Sequence, residues 1–168
     1  MKCYKHCLPN LEGKYDIAVG FLEGEASYYV IDKVNGKYHN KLDRLHRCLE
    51  GNTYLFSNKI INDICQLIKS EGISFVFVDD SYFGNLVKTV KKECDAVTVV
   101  TFFHDIKASL FRIWMKTEPW YGKIDLRIGI AQEKISTTYT DANIVLNQNE
   151  NRLLRNYYNV NGVRYCWH

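Results

Sequence analysis

The stretch VVTFFHDIKAS, residues 99–109, decides how this sequence is read, because an apolar run ends abruptly in polar residues. Val99 to Phe103 are all β-branched or aromatic, which is typical of a strand that is covered on both faces. His104 and Asp105 follow at once, so an imidazole and a carboxylate stand at the carboxyl end of a buried strand. The stretch therefore predicts a parallel sheet with polar groups at the edge where such sheets bind ligands.

The neighbouring segments repeat this alternation of strand and helix. The run ISFVFVDD ends in Asp79 and Asp80 and predicts a second buried strand, and ANIVLN predicts a third. Apolar residues recur at helical spacing in residues 58–69, 81–94, 105–115, 123–139 and 148–159. The pattern predicts an α/β fold with a doubly wound, mainly parallel, Rossmann-like sheet, in which the adjacent parallel strands are residues 73–79, 97–103 and 142–146. The tail after Gly162 predicts one more strand.

Helix caps account for several of the polar residues in these turns. Ser57 or Asn58 is predicted to cap the helix that begins near residue 58, and Gly72 to end it. Asp80 or Ser81 is predicted to cap the helix after the first strand, and Asp105 its own helix. Capping and ligand contact are compatible, because a helix N-terminus is itself an anion site.

The first third of the chain is less regular. The segment YDIAVGFLEGEASYYVIDKV reads as a strand, a Gly/Glu turn, and then a helix or a strand. Glu23 and Glu25 form either an acid/base pair or a solvated turn, and the turn is favoured. We therefore predict a single Rossmann-like domain over residues 1–168, with an irregular N-terminal segment at 1–40 and a regular β/α core at 57–160.

Composition excludes several classes of function. The chain has 168 residues, 46% hydrophobic and 24% charged, with a net charge of +3, which is too small to predict nucleic-acid binding. Cys3, His6 and Cys7 lack a fourth ligand at matching spacing, so no metal site is predicted. No apolar run approaches the roughly 20 residues of a membrane span, and no signal peptide is recognisable, which predicts a cytoplasmic protein.

Known sequence motifs of nucleotide and acyl chemistry are missing. The chain has no G-x-G-x-x-G after a strand, no Walker A loop and no G-x-S-x-G elbow. A dinucleotide-binding fingerprint, a P-loop and an α/β-hydrolase nucleophile are thereby excluded.

Three ordered segments carry a family resemblance. DDSYFGNLVKTVKK, VVTFFHDIKASLFR and TDANIVLNQNENRLLRNYY resemble the N-terminal half of GT-B-fold glycosyltransferases, especially bacterial enzymes that build capsular or other surface polysaccharides. In that family a strand ends in Phe-Phe-His-Asn/Asp, and a later Asp-Ala-x-Ile-x-Leu-Asn segment precedes a helix ending in Tyr-Tyr or Tyr-Gly. The resemblance covers about residues 40–160. The segment before it resembles another branch of these enzymes, which suggests a rearranged N-terminus.

The resemblance implies transfer of a sugar from a nucleotide-sugar donor to a glycan or lipid-linked acceptor. His104 would contact the donor sugar or the leaving phosphate, and Asp105 would either cap its helix or orient the acceptor hydroxyl. Asp80, Ser81 and Gly84 would line the acceptor side, where a glycine allows close backbone approach. Enzymes of this fold generally need no bound metal, and the chain has no Asp-x-Asp motif, so neither a metal nor a cofactor is implied.

Two parts of the family pattern are not found in this sequence. These are the glycine-rich turn of a first Rossmann strand and the second domain that binds the nucleotide-sugar. Activity is therefore expected only with a donor domain from a separate chain. Four aromatic residues close in sequence to the ligand-binding edge of the sheet predict a face that a missing partner domain would cover, and hence self-association. The residues concerned are Phe102, Phe103, Trp114 and Trp120. Any membrane association is expected to be peripheral, at the inner face. The alternatives are a truncated relic without catalysis and a Rossmann-like module that binds another phosphorylated ligand.

Overall fold

Two compact units make up the chain, Met1–Asn35 and Gly36–His168. The structure is a computed structural model, and it describes residues 18–19, 27–28, 41–52 and 57–164. In the first unit, β1 (Ala18–Val19) and β2 (Ser27–Tyr28) pair in the antiparallel direction. The sequence left either a helix or a strand open for the second half of this segment, and residues 27–28 form a strand.

Several residues singled out in the sequence lie outside the described residues, and no structural role is assigned to them. They are Glu23 and Glu25, read as an acid/base pair or a solvated turn, and Cys3, His6 and Cys7, considered as metal ligands.

The second unit alternates helices with short strands. In chain order its elements are α1 (Lys41–Glu50), α2 (Asn58–Ser70), β3 (Phe75–Val78), a 3-10 helix (Ser81–Phe83), α3 (Gly84–Glu93), β4 (Thr98–Phe103), α4 (Lys107–Trp114), α5 (Trp120–Tyr139), β5 (Ala142–Val145), α6 (Gln148–Tyr158) and β6 (Val163–Arg164). No helix among the described residues is both long and apolar enough to cross a membrane.

The strands of this unit form one parallel sheet in the order β3-β4-β5-β6. The prediction that the first three are adjacent and parallel is confirmed. Each strand lies beside the one before it in sequence, so the order contains no reversal. Among the described residues the sheet is therefore wound in one direction, and the reversal that defines a doubly wound sheet is not found there.

The two faces of the sheet differ in burial. On one face Val99, Phe103 and Val145 are fully buried beneath helices, and Leu154 of α6 packs there with Phe103. On the other face Phe75 and Phe77 of β3 keep 46% and 43% of their surface exposed. The prediction that β3 is covered on both faces is therefore wrong, because the helix residues that pack with Phe103 and Val145, among them Leu154 and Ile130, lie on the first face.

Local chain signals fix the ends of several helices. The Ser57 hydroxyl accepts a hydrogen bond from the Ile60 amide at 3.3 Å, so Ser57 is the cap of α2. Gly72 follows the helix with φ +64°, a left-handed conformation that glycine adopts at little cost. Cys65 and Cys94 are buried free thiols, and burial raises the pKa of Cys65 to about 11, as is typical of a thiol that packs in a core.

Candidate functional site

The carboxyl ends of β3 and β4 bring an imidazole and a carboxylate into contact. His104 Nε2 lies 2.9 Å from Asp79 Oδ1, and their side chains are 38% and 47% exposed. The two residues are 25 positions apart in sequence, and each follows its strand closely. Parallel pairing of the two strands places both at one edge of the sheet, as the order of strands predicted.

This pair has the geometry of a proton-accepting group. The ring of His104 is held on one side by Asp79 and on another by the edge-on ring of Phe102, with ring centroids 4.7 Å apart. When Nε2 donates its hydrogen to the carboxylate, Nδ1 carries the lone pair. An imidazole oriented by a carboxylate in this way can accept a proton from a hydroxyl group.

A lysine for which the sequence predicted no role lies against the carboxylates next to Asp79 and His104 in the chain. Lys107 is nearly buried, and its Nζ lies 2.8 Å from Asp105 Oδ1 and 3.8 Å from Asp80 Oδ2. The same ammonium group lies 5.0 Å from the centre of the Tyr82 ring. Lys107 therefore offsets the negative charge of two carboxylates at the sheet edge. The only signal in the sequence was its position two residues after Asp105.

The prediction that Asp105 caps α4 is wrong. Helix α4 begins after Ile106, which has no capping side chain, and the Asp105 carboxylate pairs with Lys107 instead. The first amides of the helix are bound by Glu133 of α5. Its carboxylate accepts hydrogen bonds from the Lys107 amide at 2.8 Å and the Ala108 amide at 3.0 Å.

Glu133 is fully buried, and it joins three crossover segments of the fold. Besides the two amides of α4, it accepts a hydrogen bond from the Ser81 hydroxyl at 3.0 Å and from the Tyr158 hydroxyl at 2.6 Å. Burial raises the pKa of the Glu133 carboxyl, and these hydrogen bonds oppose the rise. One carboxylate therefore ties together the segments that follow β3, β4 and β5.

A pH dependence follows from the direction of this shift. The folded-state pKa of Glu133 lies above its ordinary value of 4.5, so the folded chain binds this proton more tightly than the unfolded chain. The contribution of Glu133 to the free energy of unfolding is therefore largest below that value and falls as pH rises through the folded pKa. We expect Glu133→Gln to remove this part of the pH dependence.

Urea unfolding of both proteins between about pH 4 and 8 measures this effect. Glu71→Gln supplies the control, because it makes the same chemical change at an exposed position. A difference between wild type and Glu133→Gln that stays constant over this pH range would contradict the expected slope.

The resemblance implied that three residues line the acceptor side, and the structure gives each of them a different role. Ser81 is buried and bound to Glu133, so it does not face a crevice. Gly84 lies against α5, where an added Cβ would overlap the carbonyl oxygen of Gln132, so this glycine permits helix packing and not substrate approach. Asp80 caps the 3-10 helix by accepting a hydrogen bond from the Tyr82 amide at 3.0 Å. Of the three, only Asp80 stays partly exposed near the His104–Asp79 pair.

The described residues offer little to a metal ion. In that part of the chain no group of three or more His, Cys, Asp or Glu side chains is arranged to hold one. At the sheet edge, the ammonium group of Lys107 itself lies between Asp80 and Asp105. The positive charge near these carboxylates is therefore part of the protein.

Comparison with known protein families, with curated proteins and with solved structures found no match for this chain. The geometry of the sheet edge is therefore the basis on which a function can be argued.

Proposed function

We propose that this chain provides the acceptor side of a sugar-transfer site, with His104 as the base that takes the proton of the acceptor hydroxyl. The observation that carries the proposal is the 2.9 Å contact of His104 Nε2 with Asp79 Oδ1 at the carboxyl edge of a parallel sheet. Both side chains remain open to solvent. This edge is where ligands bind in sheets of this kind.

The chemistry of the pair suits the first step of such a transfer. As the acceptor oxygen attacks the sugar carbon, its proton passes to His104 Nδ1, and the bond to the nucleoside diphosphate breaks with its electron pair going to phosphate. Asp79 keeps the ring oriented and stabilises the imidazolium that forms. Lys107 already pairs with Asp80 and Asp105, so these carboxylates contribute to the local field and not to proton transfer.

The remainder of a GT-B enzyme would complete the sheet. In the described part of the chain, β3 is the last strand on its side of the sheet, and Phe75 and Phe77 are half exposed. A doubly wound sheet has further strands beyond this edge and helices over this face. We propose that such elements, together with the nucleotide-sugar pocket, come from parts of the enzyme outside the described residues or from a partner chain.

The alternative of a module that binds a phosphorylated ligand is less well supported. Phosphate groups bind at helix N-termini, where backbone amides point outward. At α4, two of these amides are already bound by the buried carboxylate of Glu133. An anion could not reach them without displacing that side chain.

We expect His104→Gln to lower sugar transfer by about a hundredfold or more, the usual contribution of a positioned general base. The test uses cells that naturally encode this protein, in which the chromosomal copy carries the substitution. The sugar composition and amount of surface polysaccharide are measured by chemical hydrolysis and chromatography. Asp79→Asn should lower the amount by at least about tenfold, because the ring loses its orienting carboxylate.

His46→Gln is the matched control, because His46 is an exposed histidine of α1 whose side chain is 72% accessible. Immunoblotting checks that all three variants are present at equal levels. Wild-type polysaccharide in cells with His104→Gln would contradict the proposal. An unchanged polysaccharide after deletion of the whole gene would favour the non-catalytic relic.

A further inference from the structure

Helices α4 and α5 form an antiparallel hairpin. At its base, the Lys107 amide is bonded to Glu133, and further along the ring of Phe111 lies against Gly129, where an added Cβ would come within 2.5 Å of the ring. The two helices are joined by a tight turn in which the Glu118 amide donates to the Trp114 carbonyl oxygen at 2.9 Å. The pairs 107–133 and 111–129 run in opposite directions, so the helices pack side by side up to this turn.

This hairpin projects beyond the carboxyl edge of the sheet. Glu133 lies level with that edge, since it contacts the first residues after β4. The other end of α5 lies at the edge where the strands begin. Just after the helix, the Asp141 amide donates to the carbonyl oxygen of Val99, near the start of β4, at 2.8 Å. The thirteen helical steps from Glu133 back to Trp120 extend in the opposite direction by about 20 Å at the rise of an α-helix. The turn between α4 and α5 therefore lies beyond the carboxyl edge of the sheet, the edge at which His104 and Asp79 are found.

The end of the hairpin carries an unusual number of exposed large apolar side chains. Trp120 is 74% exposed, and four neighbouring aromatic or branched side chains are also exposed to solvent. We call this group the aromatic tip: Ile113, Trp114, Trp120, Tyr121 and Ile124. Tryptophan and tyrosine combine an apolar ring with a polar group, and they concentrate where hydrocarbon meets water at a membrane surface.

Basic residues surround the aromatic tip. Between residues 112 and 127 the sequence has four basic side chains and two acidic ones. Lys116 and Arg127 are exposed, Lys123 is half-buried, and Arg112 lies over the ring of Tyr157. Cations next to exposed aromatic side chains complement the negative surface of a bilayer with anionic lipids.

We propose that the aromatic tip is a docking surface for an anionic lipid bilayer, which holds the carboxyl edge of the sheet toward the membrane. The apolar rings enter the headgroup region, while Lys116 and Lys123 contact lipid phosphates. The proposal goes beyond sugar transfer and does not depend on it. A partner protein fits the same surface less well, because lysine is depleted in protein interfaces relative to the rest of a protein surface.

The test is sedimentation of the purified full chain with vesicles of phosphatidylglycerol and phosphatidylcholine in equal amounts. We expect the wild type to bind these vesicles, to bind pure phosphatidylcholine weakly, and to dissociate as salt is raised. Trp114→Ala/Trp120→Ala should lower the partition coefficient at least about tenfold, the equivalent of losing the burial of one large apolar side chain. Lys116→Glu/Lys123→Glu should lower it by a similar factor.

Two variants serve as matched controls. Phe75→Ala removes an exposed aromatic ring of the sheet face, and Lys59→Glu reverses an exposed charge on α2. Both should bind vesicles as the wild type does. Circular dichroism and thermal unfolding confirm that every variant is folded. His104→Gln should also bind normally, so loss of sugar transfer and loss of membrane binding can be told apart.

Three outcomes would overturn the proposal. The wild type could fail to sediment with anionic vesicles, or the tip variants could bind as well as the wild type. Light scattering coupled to size-exclusion chromatography could show a dimer that Trp120→Ala separates, without any vesicle binding. The last result would assign the aromatic tip to contact between two copies of this chain.

Discussion

Replacement of Glu133 by leucine should lower the free energy of unfolding by about 4 kcal/mol. The substitution keeps the size of the side chain and removes the acceptor of four hydrogen bonds. The hydroxyls of Ser81 and Tyr158 can rotate toward other partners, but the amides of Lys107 and Ala108 cannot. Each of these amides would remain buried without a partner, at a cost of about 1–3 kcal/mol.

Urea unfolding followed by circular dichroism measures this loss. Glu71→Leu is the control, because Glu71 is exposed, and its replacement should change stability by no more than about 0.5 kcal/mol. The loss of unfolding free energy in Glu133→Gln should lie between those of Glu133→Leu and the control. Its amide oxygen still accepts hydrogen bonds, while its NH₂ group faces other donors. If Glu133→Leu is as stable as the control, this carboxylate does not hold the three crossover segments together.

Gly84→Ala should destabilise the protein by about 3 kcal/mol, although alanine is the better helix former. A methyl group at this position would overlap the carbonyl oxygen of Gln132 and come within 2.8 Å of the Cβ of Ile135. The backbone of α5 cannot give way locally, so α3 and α5 would have to separate. Helix α3 also contacts β4, so the loss would extend to the sheet.

Thermal unfolding of Gly84→Ala beside Gly122→Ala provides the comparison. At Gly122 an added methyl group would come within 2.6 Å of a carboxylate oxygen of Glu118, which is the far end of a flexible, exposed side chain. We expect Gly122→Ala to be neutral or slightly stabilising. A Gly84→Ala protein that unfolds at the wild-type temperature would remove the packing role and return Gly84 to the acceptor side.

The strands of the larger unit were predictable because each is a short apolar run that ends in a polar residue. Residues 73–79, 97–103 and 142–146 contain β3, β4 and β5, and their order alone predicted parallel pairing. Caps that bind the next turn of the chain were also predictable. Ser57 and Asp80 accept hydrogen bonds from amides two or three residues ahead, as local chain geometry requires.

The central carboxylate could not be predicted by the same reasoning. Glu133 binds residues 25 to 52 positions away, and no local pattern records such a distance. One signal was available: the buried face of α5 carries Gly129, Gln132, Glu133 and Ser136 where a core-facing helix normally carries leucine or isoleucine. Polar residues at that spacing in a helix between two strands indicate a buried hydrogen-bond network.

The single direction of winding was also hidden from the sequence. Strands predicted from apolar runs do not reveal on which side of the sheet each helix returns, and β3 was taken to be covered on both faces. The exposure of Phe75 and Phe77 shows that an apolar run of this kind can have one open face.

The sequential order of the strands lets the sheet assemble in the direction in which a ribosome releases the chain. Each new strand pairs with the strand synthesised just before it, so none has to enter between two that are already joined. Glu133 emerges after Ser81, Lys107 and Ala108 and can bind them immediately. Its bond to Tyr158 forms only when α6 has followed. The buried carboxylate thus acquires its fourth partner only after α6 has been synthesised, so its hydrogen-bond network closes later than the pairing of β3, β4 and β5.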